Sequence, residues 1–240
     1  MGHLQITAHD VHIWHFRADQ LSDASAADAL LAPDERARMN VYRRPHDARM
    51  YLLCRAMMRT VLSRYLGCDC ADLRFTANAF GKPILDGAHF ALHFNLSHSH
   101  GIAALAVSVD RAVGIDIEDR TRAIDHLALA ERFFPAEEAQ QLRALRGDQL
   151  RDAFFSIWTL KEAFVKGIGQ GLTFPLDAFC FDLDVDRLIA FRPLADFVSP
   201  DWQFQQFDLT DRHRGAVAVQ AQSGEVVRIV MHEWGSEAHW

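Results

Sequence analysis

Residues 113–118 read VGIDIE. On a strand, alternate side chains share a face, so Gly114, Asp116 and Glu118 point one way and Val113, Ile115 and Ile117 the other. Asp116 and Glu118 then stand roughly 6.6 Å apart along the strand, and they repel each other unless a cation lies between them. Gly114 beside them leaves room for a ligand to approach the backbone. Taken alone, the pattern equally suits a half-buried strand whose polar face meets water.

A second segment, FFSIWTLKEAFVKGIG at 154–169, adds a third carboxylate. At 100° per residue its apolar side chains cover most of the circumference, the pattern of a central helix with little solvent access. Glu162 and Lys166 share the one narrow polar strip. On an exposed helix this would be an i,i+4 ion pair contributing about 0.2–0.5 kcal/mol. On so apolar a helix, charges require strong partners. Lys161 falls within the apolar arc, so it snorkels to an edge or meets an anion.

Three hard carboxylates (Asp116, Glu118, Glu162) suit Mg²⁺, which takes oxygen ligands and shares them with substrate phosphates and water. Adjacent lysines suit phosphate oxygens. Zinc is the rival, since the chain has 13 histidines. No Cys/His spacing accompanies the carboxylates, however, and His98 and His100 flank a turn. Mg²⁺ with a phosphate-bearing substrate is the better reading.

The elements that must position these groups repeat along the chain. In the first half a helix start (30–38) precedes an amphipathic helix (51–67) and a polar turn running into an apolar strand (96–108). The second half replays this order at 133–142, 154–169 and 209–221. An α+β fold of two similar α/β lobes is expected, 1–111 and 112–240, forming a pseudo-dimer within one monomeric chain. A ligand belongs in the cleft between them.

With 240 residues, of which 50% are hydrophobic, disorder and small stapled scaffolds are excluded. The net charge of −7 argues against a general nucleic-acid binder. Four cysteines in no metal or CxxC spacing, no secretory signal and no apolar stretch of membrane-spanning length point to a reduced, cytoplasmic protein with no membrane partner. Basic residues are lopsided: 22 are arginine, and lysine occurs only at 82, 161 and 166. Between Arg36 and Arg64 lie eight arginines and one acid, Asp47, which suggests an anionic partner. Against this, residues 177–240 hold eleven acids and five basic residues that could pair with those arginines.

AVGIDIEDR (112–120) together with WTLKEAFVKGIGQGL (158–172) resembles the paired signature motifs of the 4'-phosphopantetheinyl transferases, best the double-length surfactin-synthetase-activating type. RFTANAFGKPIL (74–85), HFNLSHS (93–99), ERFFPAEE (131–138) and FPLDAFCFDL (174–183) follow in the family's order. The resemblance implies transfer of the phosphopantetheine arm of coenzyme A to a serine of an apo acyl or peptidyl carrier protein, with release of 3',5'-ADP. It implies Asp116, Glu118 and Glu162 as ligands of Mg²⁺, with Mn²⁺ a possible substitute. It implies Lys166 beside the leaving phosphate and Glu138 or Glu162 as the base for the carrier serine. Lys82, Ser97 and His98 match the pocket for the 3'-phosphate and adenosine, and Arg49 and Lys161 join them as candidate coenzyme contacts. Two positions where the family usually has basic residues hold Glu35 and Met50. Two other readings compete: a Mg²⁺-dependent enzyme acting on another nucleotide diphosphate, and a non-catalytic module that binds coenzyme A or carrier proteins.

Overall fold

The computed structural model describes residues 3–21, 25–87, 91–184, 186–194, 201–222 and 224–235. In chain order the first half holds β1 (Asp10–Arg17), α1 (Ser25–Ala29), α2 (Pro33–Met39), α3 (Pro45–Leu66), β2 (Phe75–Ala77), β3 (Pro83–Leu85), β4 (Leu92–Ser99) and β5 (Ile102–Val109). The second half holds β6 (Val113–Asp119), α4 (His126–Phe133), α5 (Ala136–Arg143), α6 (Gly147–Ile168), β7 (Phe179–Asp184), β8 (Arg187–Pro193), β9 (Trp202–Thr210), β10 (His213–Gln220) and β11 (Arg228–Glu233).

The expected repeat is visible as two copies of strand, long helix and hairpin: β1, α3, β4–β5, then β6, α6, β9–β10. Helices α3 and α6 are each 22 residues long, and each ends on a glycine in the left-handed region, Gly67 at φ 66° and Gly169 at φ 76°. Both begin several residues earlier than their apolar runs suggest, α3 on the helix-starting Pro45. The LSHS segment is not a turn but the last four residues of β4. The turn is His100–Gly101 alone, with φ of 41° and 85°, the two-residue geometry whose twist matches the flanking strands.

Strand order is β11-β1-β5-β4 in one sheet and β6-β10-β9 in the other. One face of the first sheet, with Trp14, Phe16 and Leu105, packs on Leu53 and Met57 of α3. Its other face, with Ile13, Ala104 and Ala106, meets Ile115, Ile117 and Val217 of the second sheet. The far face of that sheet, at Ala216 and Ala218, packs on Leu160 and Phe164 of α6. The order of layers is therefore helix, sheet, sheet, helix. A boundary at 111/112 falls between β5 and β6, but β11 pairs in parallel with β1 and returns the C-terminal segment to the first sheet. Among the described residues no helix is long and apolar enough to cross a membrane.

Candidate active site

Two glycines bring the two signature segments together. A Cβ on Gly114 would lie 2.0 Å from the carbonyl oxygen of Ala163 and 2.3 Å from the amide nitrogen of Gly167. The space at Gly114 is thus filled by the backbone of α6 rather than left for a ligand, which corrects the expectation from sequence. This contact sets β6 directly against the last turns of α6, where Glu162 and Lys166 stand.

Lys166 Nζ donates to Asp116 Oδ1 at 2.5 Å and to Ser97 Oγ at 3.2 Å. Ser97 Oγ in turn donates to the same Asp116 oxygen at 3.0 Å. Asp116 Oδ2 is buried and has no hydrogen-bond partner among the described residues. Glu118 is half-buried and accepts from Arg122 at 2.7 Å, while burial and the Asp116 charge raise its pKa. Glu162 is buried, and desolvation followed by the Asp116 charge pushes its pKa up to about 7. Burial works against the Lys166 ammonium, but Asp116, Glu162 and Glu118 outweigh it and hold its pKa above the ordinary value. The cluster is therefore short of positive charge.

The donor set is a candidate cation site. Its oxygens are hard carboxylates, one of them buried without a partner among the described residues, and burial with the neighbouring Asp116 charge raises the pKa of the other two carboxyls; all of this suits a divalent cation. Among the described residues no three His, Cys, Asp or Glu side chains converge tightly enough to enclose an ion unaided. An incomplete protein set fits Mg²⁺, which keeps waters and shares substrate phosphate oxygens.

Other expected site residues lie elsewhere. Lys161 meets an anion inside the protein rather than snorkelling to an edge: it is wholly buried, its Nζ 3.0 Å from Glu138 Oε2 and donating to the carbonyls of Leu176 and Phe179 at 2.8 and 2.7 Å. Glu138 is 1% exposed and accepts from the Phe181 amide at 2.7 Å, so neither partner faces the carboxylate cluster. Burial raises the Glu138 pKa and lowers that of Lys161. Lys82 donates to the carbonyls of Lys166, Gly167 and Val113 at 2.7, 3.2 and 3.0 Å, fastening the β2–β3 hairpin to the end of α6, and burial draws its pKa down to about 8. Arg49 donates to the carbonyls of Leu21 and Ala18. His98 is exposed on the wall of a cleft of about 800 Å³ that runs between α3 and β6, with Arg44, Arg55, Glu118 and Arg122.

Pairing with C-terminal acids, the alternative to an anionic partner for the arginine-rich segment, is not what Arg36, Arg55 and Arg59 show. Each of the three pairs locally: Arg59 with Glu35 at 2.7 Å, Arg55 with Glu35 at 3.6 Å and Arg36 with Asp28 at 3.5 Å. Glu35, standing where the family usually has a basic residue, is buried beneath these arginines and accepts from the Ala32 amide at the start of α2. Sequence reasoning missed Asn95, Ser99 and Arg122. The alternation Asn95–Ser97–Ser99 on a strand was the available signal for the first two.

Residues 112–219 match the family model described as the 4'-phosphopantetheinyl transferase superfamily, and residues 14–110 match that of the 4'-phosphopantetheinyl transferase N-terminal region. The chain is 35% identical over 220 residues to 4'-phosphopantetheinyl transferase HetI of Nostoc sp., covering 90% of each chain. It is 36% identical over 172 residues to 4'-phosphopantetheinyl transferase Sfp of Bacillus subtilis, covering 72% of this chain and 75% of that one. A vertebrate relative, the L-aminoadipate-semialdehyde dehydrogenase-phosphopantetheinyl transferase of Xenopus laevis, is 27% identical over 226 residues, covering 86% and 75%. Two lobes, a carboxylate–lysine cluster on β6 and α6, and likeness over nearly the whole length define a transferase of phosphorylated groups. The chain belongs to the 4'-phosphopantetheinyl transferase superfamily and is of the Sfp type.

Proposed function

We propose that the protein transfers the 4'-phosphopantetheine group of coenzyme A to the hydroxyl of a serine on an apo acyl or peptidyl carrier protein. The observation that carries this reading is the Asp116–Lys166 contact beside Glu162 and Glu118, in a chain of this family, with Glu118 on the wall of the cleft that holds His98. The serine oxygen forms a bond to the phosphorus that bears the pantetheine. The bond from that phosphorus to the bridging oxygen breaks, and 3',5'-ADP leaves.

Asp116, Glu118 and Glu162 would hold Mg²⁺ or Mn²⁺, which when bound neutralises the pyrophosphate and makes its phosphorus more electrophilic. Lys166 places a fixed positive charge beside the departing phosphate. Glu162 is the carboxylate of the cluster suited to receive the serine proton through the ligand shell. Glu138 is engaged with Lys161 and the Phe181 amide, which leaves Glu162 the better base. The cleft holding His98 and Arg44 takes the coenzyme, and the exposed arginines at the α2–α3 junction face an acidic carrier. The reaction belongs to the cytoplasm, where coenzyme A and apo carriers meet.

The test is incubation of the protein with coenzyme A, Mg²⁺ and a panel of apo carriers from fatty-acid, polyketide and peptide synthesis, read by intact mass. A phosphopantetheine mass gain on at least one carrier is expected, with 3',5'-ADP formed in equal amount. No gain on any carrier overturns the assignment.

A further inference from the structure

The two sheets meet at the outer strands β4 and β6 through side chains rather than through a backbone ladder. The amide of Ile115 donates to Asn95 Oδ1 at 2.9 Å, that of Ile117 to Ser97 Oγ at 3.2 Å, and that of Asp119 to Ser99 Oγ at 3.2 Å. Each step advances two residues on both strands. The rungs therefore occupy one face of β4 and one edge of β6, and the strands run in parallel and in step. Asn95, Ser97 and Ser99 are all buried.

The rungs differ in reach. The asparagine acceptor lies one bond farther from its Cα than the serine hydroxyl, so a two-residue slip, which keeps every side chain on its face, would mismatch the ladder. The middle rung continues into the site: Ser97 accepts from the Ile117 amide and from Lys166 Nζ, and donates to Asp116 Oδ1. A hydroxyl has one proton to give and two lone pairs, and all three are committed to the protein. Ser97 thus has no capacity left for a phosphate while these bonds hold.

We propose that Asn95, Ser97 and Ser99 are positioning residues. They set the height of Asp116 and Glu118 relative to the N-terminal lobe, and so the span over which the two lobes hold one extended substrate. The proposal rests on the phosphopantetheinyl transfer reading and deepens it. The outer rungs, Asn95 and Ser99, act through β6 and touch none of the reacting groups.

The experiment compares Ser99→Ala with Ser99→Thr, and Asn95→Ala with Asn95→Asp, in the full chain. Steady-state transfer is measured as a function of Mg²⁺, and amide hydrogen exchange is followed by NMR. The alanine variants should raise the half-saturating Mg²⁺ at least threefold and lower kcat at least fivefold, with KM for the carrier changed less than twofold. Exchange should quicken at Asp119 or Ile115, and Ser99→Thr should recover activity to within about threefold of the parent. A fall in kcat with unchanged Mg²⁺ dependence, or equal loss in Ser99→Thr and Ser99→Ala, overturns the proposal. If the parent chain itself transfers nothing, the functional reading fails. The ladder is then decided by exchange at these amides and by Mg²⁺ titration calorimetry of parent against Ser99→Ala, where identical behaviour overturns it.

Discussion

Gly114 and Gly167 face one another with no side chain between strand and helix: a Cβ on the first would lie 2.3 Å from the amide nitrogen of the second and 2.7 Å from its Cα. This contact fixes how far the β6 carboxylates stand from Lys166. Gly114→Ala inserts a methyl group against backbone that cannot rotate away, so α6 must move off β6. Overpacking of this kind costs about 1–3 kcal/mol and occasionally more. A fall in the urea midpoint and at least a tenfold loss of transfer are expected, measured on the same sample. An unchanged activity would show that the spacing between β6 and α6 is not critical.

Lys166→Met removes the cation from Asp116 while keeping the volume of the side chain. Removing a preorganised charge from a transition state typically costs about 10²–10³ in kcat, and that loss is expected here with little change in carrier KM. Lys166→Arg should rescue poorly, because a planar fork does not replace a compact ammonium 2.5 Å from a carboxylate oxygen. Asp116→Asn should lose activity at least as severely. Steady-state kinetics on the three variants decide the matter, and full activity in Lys166→Met would remove the lysine from the mechanism.

The Lys161–Glu138 pair separates structure from catalysis. Removing one member of a buried ion pair strands the other charge and costs about 3–5 kcal/mol, whereas replacing both by apolar groups is often neutral or stabilising. Glu138→Gln and Lys161→Met are each expected to lower the melting temperature. The double variant Lys161→Met/Glu138→Leu should regain stability and a substantial part of the activity. A stable double variant with no activity would return Glu138 to the role of base.

Much of this arrangement was legible from short-range pattern. The alternation in VGIDIE places Asp116 and Glu118 on the α6 side, and the apolar circumference of 154–169 marks the helix that packs over them. The repeat of helix and hairpin gives the two lobes, because each copy carries its own periodicity. What could not be read depends on partners far away in the chain. The parallel pairing of β11 with β1 joins residues more than two hundred positions apart, and no local signal in either strand names the other. Lys161 was legible as a cation needing an anion, but Glu138 reaches it only through the packing of α5 on β7. Gly114 shows the same limit: its missing side chain was visible, and what fills the space was not. Lys82 and Ser97, read as phosphate contacts, prove to be fastened to α6 and β6, because their polar atoms meet carbonyls, an amide and Asp116 before they meet solvent.

Acid stability offers a prediction distant from the catalytic cluster. His12 on β1 is buried, with Nδ1 2.6 Å from the Tyr65 hydroxyl, and that hydroxyl accepts from Trp14 Nε1 at 3.0 Å. The His232 ring lies 4.8 Å away, with Asp10 and Arg228 also acting on the group. Burial, then the neighbouring His232, lowers the His12 pKa from 6.5 to about 4. The folded state therefore binds fewer protons than the unfolded chain between these values. Its contribution is complete above about pH 6.5 and is lost as pH falls towards 4, a change of roughly 2–3 kcal/mol. Asp119 acts lower: Thr121 and Arg212 overcome burial and hold it at about 2, so its contribution disappears only below about pH 4, whereas Glu162, raised to about 7, acts within the His12 window with the opposite sign. Urea denaturation at half-unit steps from pH 7.5 to 4.5 should show the His12 part as a slope of falling stability on acidification, superposed on the opposite contribution of Glu162. His12→Gln, which keeps a polar partner for Tyr65 but cannot charge, should flatten that slope while starting from a lower plateau. A slope identical in parent and variant would assign the acid sensitivity to another group.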